Sequence, residues 1–161
     1  MYFATPPLAI TDLPTKHTYG VLTPRLIVIH ATAGTDSREW LVENPEGLSI
    51  HRLIQKDGTI YKMADDLVSC GHVGRSALWG NRWLNKIALG IELENRNNGR
   101  DPYPTAQVEA CAAQVVEWLG RFGPLPVVGH YQVDTLGKTD PKGFPWWTFW
   151  ECVRKRTPQA G

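Results

Sequence analysis

The chain has 161 residues, 42% of them hydrophobic and 7 of them Trp, which is apolar mass for one compact domain and too little for two ordinary ones. Its 17 basic and 16 acidic residues leave a formal net charge of +1, so no global field draws it to nucleic acid or to an anionic membrane. No stretch approaches the roughly 20 apolar residues that span a bilayer.

Residues 1–24 are rich in Pro and Thr and are expected to wrap the surface as an irregular arm, ahead of a core at residues 25–156. Leu26 to Ile29 is a continuous apolar run suited to a central strand. Asp36-Ser37 is placed to cap a short helix carrying Trp40 and Leu41. Two β-prone runs between Ile50 and Met63 flank Asp57-Gly58, the dipeptide favoured by a type I′ turn, and predict a hairpin. Ile87 to Asn95 reads as a buried strand that has no structural need for the carboxylate of Glu92.

From Thr105 to Phe122, apolar residues at 108, 111, 112, 115, 119 and 122 recur with helical spacing between Pro104 and Gly123-Pro124. Pro126 to Gly129 gives a last strand, and Trp146 to Lys155 a helix expected to bury Trp147, Trp150 and Val153. The sum is one α/β domain spanning 1–161, a central mixed sheet flanked by helices. Cys70, Cys111 and Cys152 are odd in number and widely spaced, the pattern of small buried hydrophobes in a reducing compartment. The stretch Met1 to Pro7 has no basic region before an apolar one, unlike a secretory signal. A cytoplasmic monomer is the expectation.

The chemistry concentrates in Gly129-His130-Tyr131-Gln132-Val133-Asp134 and the Lys138-Thr139-Asp140-Pro141 that follows. An imidazole, a carboxylate and an ammonium in one short loop are rarely gathered unless paired or bound to a metal. His30, at the end of the first apolar run, completes a His, His, Asp set, and three protein ligands with one open position is the composition of a catalytic zinc site. The competing reading of each residue is structural: a satisfied histidine at a strand end, a solvated lysine in a loop, or an ion pair of Glu92 with Arg52 or Lys86.

Five segments carry a resemblance, in order, over about residues 26 to 150. They are Ile27 to Ala33, Ser49 to Gly58, Gly71-His72-Val73-Gly74, Leu89 to Asn95, and Gly129-His130 with Lys138-Thr139-Asp140-Pro141. Together they resemble the zinc N-acetylmuramoyl-L-alanine amidases of the type 2 amidase superfamily, which includes phage endolysins, cytosolic recycling amidases and peptidoglycan recognition proteins. The resemblance implies that His30, His130 and Asp140 hold Zn²⁺ with water in the fourth position. It implies that Glu92 moves the proton and that Lys138 steadies the oxyanion.

The implied reaction cuts the amide between the lactyl group of N-acetylmuramic acid and L-alanine, on peptidoglycan or a muropeptide. A phage endolysin is favoured over a recycling amidase acting on soluble anhydromuramyl-peptides, with a non-hydrolytic peptidoglycan-binding module as a further alternative. His51, His72 and Asn95 are candidates for substrate contact, as are Arg75 and Arg82, while Trp79 and Trp83 are candidates for a groove rim. Two departures matter. Ile50 stands where some phage members carry a proton-handling tyrosine, which shifts that role to Glu92, and Asp140 stands where some members use cysteine.

Overall fold

A computed structural model describes residues 8–158; the first seven residues of the expected arm lie outside them. The strands are β1 (Ile10–Asp12), β2 (Leu26–Ala31), β3 (Arg52–Ile54), β4 (Ile60–Lys62), β5 (Ala77–Leu78), β6 (Asn81–Arg82), β7 (Ala88–Leu93) and β8 (Val127–Gly129). The helices are α1 (Arg38–Val42), α2 (Thr105–Phe122), α3 (His130–Val133) and α4 (Trp146–Arg156), with a 3₁₀ turn at Leu84–Lys86. Six strands form one sheet in the order β1-β4-β3-β7-β2-β8, and β5 and β6 make a small separate hairpin. Only β3 and β4 pair antiparallel within the large sheet. No helix among the described residues is long and apolar enough to cross a membrane.

The mixed sheet is the expected one, but residues 8–24 are not wholly irregular. Ile10–Asp12 adds β1 to the exposed side of β4, in parallel register Ile10 to Ile60. A three-residue edge strand needs only backbone pairing, so it leaves no alternating apolar signal to read.

Alternation along β2 decides what faces what. Ile27 and Ile29 point to the layer made by α2 and α4, where they meet Val108, Cys111, Val115 and Trp118 of α2 and Phe149 and Val153 of α4. Leu26 and Val28 point to the other face, against Val73, Leu84 and Val133, so the period of two carries His30 to that same face. Its neighbour β7 obeys the same rule, with His30 in register with Glu92. The site therefore lies on the face away from the large helices.

Helix α2 buries Val108, Cys111, Ala112 and Val115 as predicted and also Trp118, one turn beyond Val115, while Leu119 and Phe122 are only partly buried against the same core. Helix α4 corrects the expectation: Trp147 is 82% and Trp150 43% exposed, while Phe149, Cys152 and Val153 are buried. Residue hydrophobicity suggested the tryptophans, but spacing of 149, 152 and 153 sets the inner face. The hairpin also differs in its turn. Gln55 pairs with Thr59, the Gly58 N–H reaches the Gln55 carbonyl at 3.0 Å, and only Gly58 has positive φ. This is a three-residue loop closed by a left-handed glycine instead of a two-residue type I′ turn. A Cβ on Gly58 would meet the Ala106 carbonyl oxygen at 2.8 Å, so the turn packs directly on α2.

Arg52 does not pair with Glu92. It faces α2, where its guanidinium bonds Asp66 at 2.7 Å and Gln114 at 3.0 Å and lies 5.2 Å from the Trp118 ring centroid. Arg121 bonds the second Asp66 oxygen at 2.7 Å. Asp66→Ala would strand a buried guanidinium, and the expected loss is about 3–5 kcal/mol of stability. A urea midpoint equal to wild type would show that the network is not what holds this corner.

Candidate active site

Strands β2, β7 and β8 run parallel, so their carboxyl ends open on one side, the usual place for a site in such sheets. His30 sits near the end of β2, Glu92 near the end of β7, and His130 opens α3 immediately after β8. Gly129 stands just before it, where a Cβ would press on the Tyr131 ring at 2.5 Å and on Pro141 at 3.1 Å. The absence of that atom lets the loop bearing Asp140 close on His130. The Tyr131 N–H then donates to the Asp140 carbonyl at 3.0 Å.

The expected set does converge. The Asp140 carboxylate lies 3.1 Å from His130 Nδ1 and 3.3 Å from His30 Nδ1, and one donor atom from each residue falls within 4.8 Å of the other two. All three residues are buried. Burial by itself would raise the Asp140 carboxyl, but the two imidazoles facing it hold it well below the usual carboxylate range. Burial, followed by the opposing pull of Asp140, leaves the His30 imidazole below its ordinary value and therefore neutral near pH 7. His130 Nε2 points away from the cluster, 3.4 Å from the Val73 carbonyl, and His30 Nε2 lies 2.9 Å from His72 Nδ1. Two imidazoles with their far nitrogens engaged, plus one carboxylate and no thiolate, fit zinc in chemistry and in number.

The cluster lies in a cleft of about 410 Å³ that is also lined by Glu92, Lys138, Trp40, Leu48, Arg75 and Leu136. Glu92 Oε2 is buried without a hydrogen-bond partner. Its carboxyl is pushed well above the ordinary range, first by desolvation and then by the charge of Asp140, with Lys138 opposing. Lys138 is exposed, and its loop is shaped by Asp134, whose carboxylate accepts the N–H groups of Leu136 and Lys138 at 2.7 and 2.8 Å. Sequence reasoning did not single out Asp134 for this role, although an Asp accepting backbone N–H groups a few residues on is a recognisable turn signal.

The three candidates for substrate contact are placed otherwise. Asn95 is fully buried, donating to the Asp101 carbonyl at 3.0 Å and accepting from the Asn97 N–H at 2.8 Å; it ties down its own loop. His72 borders the cleft, but both its ring nitrogens are engaged, with His30 and with the Ala88 carbonyl at 3.0 Å. His51 is fully buried, accepts the Gly90 N–H at 2.9 Å on Nδ1 and faces the Val68 carbonyl at 2.8 Å through Nε2. Their polar atoms are taken up by protein partners, as buried polar groups generally are.

Desolvation lowers the His51 imidazole to about 4. Between its ordinary value of 6.5 and about 4, the unfolded chain binds a proton that the folded chain refuses. Stability is thus complete above this window and falls as pH drops through it, by about 3 kcal/mol from this residue. Because Glu92 contributes with the opposite sign in the same window, the check is a difference: the urea midpoint of metal-free wild type should fall relative to that of a folded His51→Gln variant as pH drops from 7 to 4. Parallel pH profiles for the two would contradict the assignment.

A metal-competent His, His, Asp cluster beside an unpartnered carboxylate, at the carboxyl edge of a mixed sheet, has the composition that metal-assisted hydrolysis requires. Residues 20–143 match the N-acetylmuramoyl-L-alanine amidase family, and the chain belongs to it. A relative from Enterobacter cloacae, the 1,6-anhydro-N-acetylmuramyl-L-alanine amidase AmpD, is 31% identical over 105 residues, which are 63% of this chain and 55% of that protein. The chain spans about half the length of the curated relatives it matches. Among solved structures, a selenomethionine derivative of AmpD superposes with a TM-score of 0.81 at 25% identity, covering 95% of this chain and 99% of that one. The amidase LysC from Clostridium intestinale shares the fold with a TM-score of 0.76 at 19% identity, covering 92% of this chain and 99% of its own.

Proposed function

We propose that this chain is a zinc hydrolase that cleaves the amide between the lactyl group of N-acetylmuramic acid and L-alanine. The observation that carries the proposal is the convergence of His30 Nδ1, His130 Nδ1 and the Asp140 carboxylate in the same cleft as Glu92. Zinc held by these three residues supplies Lewis acidity toward a water and an amide carbonyl. Glu92, desolvated and without a partner, accepts the proton of the attacking water and delivers it to the departing L-alanine nitrogen. Lys138, on the cleft wall, offsets negative charge developing on the carbonyl oxygen. Trp40, Leu48 and Leu136 are exposed apolar side chains on the cleft wall, placed to pack against a bound substrate.

The substrate has two readings. The sequence favoured an endolysin acting on the wall, and the fold is shared with LysC. The relative from Enterobacter cloacae is named for a 1,6-anhydro substrate, and the AmpD structure matches nearly the whole described chain. On that support we put soluble anhydromuramyl-peptides ahead of intact wall. Stem-peptide release by zinc-loaded protein should be faster from a soluble anhydromuramyl-tripeptide than from purified sacculi, should stop with chelator and should return with zinc. Faster release from sacculi restores the endolysin, and binding without release from either substrate sinks the hydrolase in favour of a binding module.

A further inference from the structure

The tetrapeptide Gly71-His72-Val73-Gly74 supplies no metal donor, yet it touches both histidines that do. The His72 ring reaches His30 Nε2 at 2.9 Å, and the Val73 carbonyl reaches His130 Nε2 at 3.4 Å. The ring of His72 occupies space that exists only because residue 90 is glycine: a Cβ there would lie 2.7 Å from His72 Nδ1 and Cε1. Both backbone N–H groups of this pair, His72 at 3.1 Å and Val73 at 2.9 Å, donate to one atom, the side-chain oxygen of Asn85. Asn85 belongs to the 3₁₀ turn before β7, and its own carbonyl accepts the Ser69 hydroxyl at 2.9 Å.

The tautomers follow from what each partner is able to do. A carbonyl only accepts, so His72 Nε2, 3.0 Å from the Ala88 carbonyl, carries the proton. In the neutral ring Nδ1 is then an acceptor, and His30 must donate to it from Nε2. With zinc bound, that leaves the His30 Nδ1 lone pair for the metal, on the side where Asp140 supplies the third donor; without metal, Nδ1 faces the Asp140 carboxylate at 3.3 Å and needs the proton itself. The Val73 carbonyl at 3.4 Å, with the Asp134 carboxylate 3.9 Å from the same nitrogen, favours the Nε2-protonated state in His130 as well. Outer partners that fix a ligand histidine in this way are part of a metal site's design.

We propose that Asn85 is a positioning residue: by holding the backbone of His72 and Val73 on one oxygen, it sets the tautomer and aim of both His30 and His130. This rests on reading those two histidines as zinc donors. Asn85 lies outside the cleft lining and touches no donor itself.

The test compares Asn85→Ala with Asn85→Asp, which retains an acceptor oxygen at the same reach. In chelator competition, Asn85→Ala should bind zinc about 10- to 100-fold more weakly, and Asn85→Asp should recover most of that loss. In long-range ¹⁵N–¹H spectra of the zinc-saturated protein, wild type should show His30, His72 and His130 each with a sharp Nε2–H signal. Zinc-saturated Asn85→Ala should show shifted or exchange-broadened Nε2–H signals at both His30 and His130, an effect that a general loss of stability does not produce in folded protein. Should Asn85→Ala fail to fold, Asn85→Gln moves the oxygen by one methylene and should shift both readouts in the same direction. Wild-type zinc affinity with unchanged Nε2–H signals in the folded variant overturns the proposal. Wild-type protein that binds no zinc overturns the metal reading itself, whereas zinc binding that is independent of residue 85 overturns only the positioning role.

Discussion

Glu92→Gln is expected to retain zinc and lose turnover by a factor on the order of 100 or more. The substitution keeps the shape of the side chain and removes only its capacity to exchange a proton, so a loss of rate with metal content intact isolates that function. The position itself is dictated by strand pairing. Glu92 stands in register with His30 on the adjacent parallel strand, and both point away from the layer of α2 and α4.

Glu92 is also the residue for which function opposes stability. Its carboxyl is raised well above 4.5, chiefly by burial and next by Asp140, so the folded state holds a proton that the unfolded state has released. The contribution of Glu92 to metal-free stability therefore falls as pH rises from 4.5 toward the folded value, opposite in sign to that of His51, and at neutral pH Glu92→Gln should be the more stable protein. Stopped activity with a raised urea midpoint is the combined expectation. Normal cleavage by Glu92→Gln would remove Glu92 from the mechanism, and the proton would then need another carrier in the cleft.

What the sequence disclosed, and what it withheld, divides along one physical line. Leu26 to Ile29 and Ile87 to Asn95 were legible because a strand buried on both faces is apolar throughout, and Thr105 to Phe122 because a helix against a sheet repeats its apolar face. The set of His30, His130 and Asp140 was legible because its residue types are unusual in such surroundings. The burial of Phe149 in place of Trp147 was not, since hydrophobicity is a property of a residue while the inner face is a property of spacing. Asn85 was invisible for a different reason. Its role arises from two backbone N–H groups 12 and 13 positions earlier in the chain, and no local pattern encodes a bond to a distant backbone. His51, His72 and Asn95 stood out as unusual, but their hydrogen-bond partners within the protein were not legible, because a polar side chain announces that it needs a hydrogen bond without announcing to what.

His130→Ala and Asp140→Ala should each lose zinc and activity together. Disturbing an outer partner of a metal ligand typically weakens binding about 10- to 100-fold, so removal of one of three direct donors should exceed roughly 100-fold and leave a dialysed sample without stoichiometric zinc. The two variants should nevertheless differ in the metal-free state. In wild type the carboxylate of Asp140 is kept ionised by the imidazoles on either side, a lowered value whose stabilising effect is present above 3.8 and is lost as pH falls through the folded value. His130→Ala removes one of those partners and leaves a buried carboxylate facing Glu92, another buried acid, so metal-free stability at neutral pH should drop. Asp140→Ala removes the charge that helps to hold the Glu92 proton, so a smaller part of that penalty remains. Elemental analysis, turnover and urea midpoints on the same preparations give the ordering. Full zinc content in either variant would exclude the deleted side chain as a donor and with it the three-donor reading of the site.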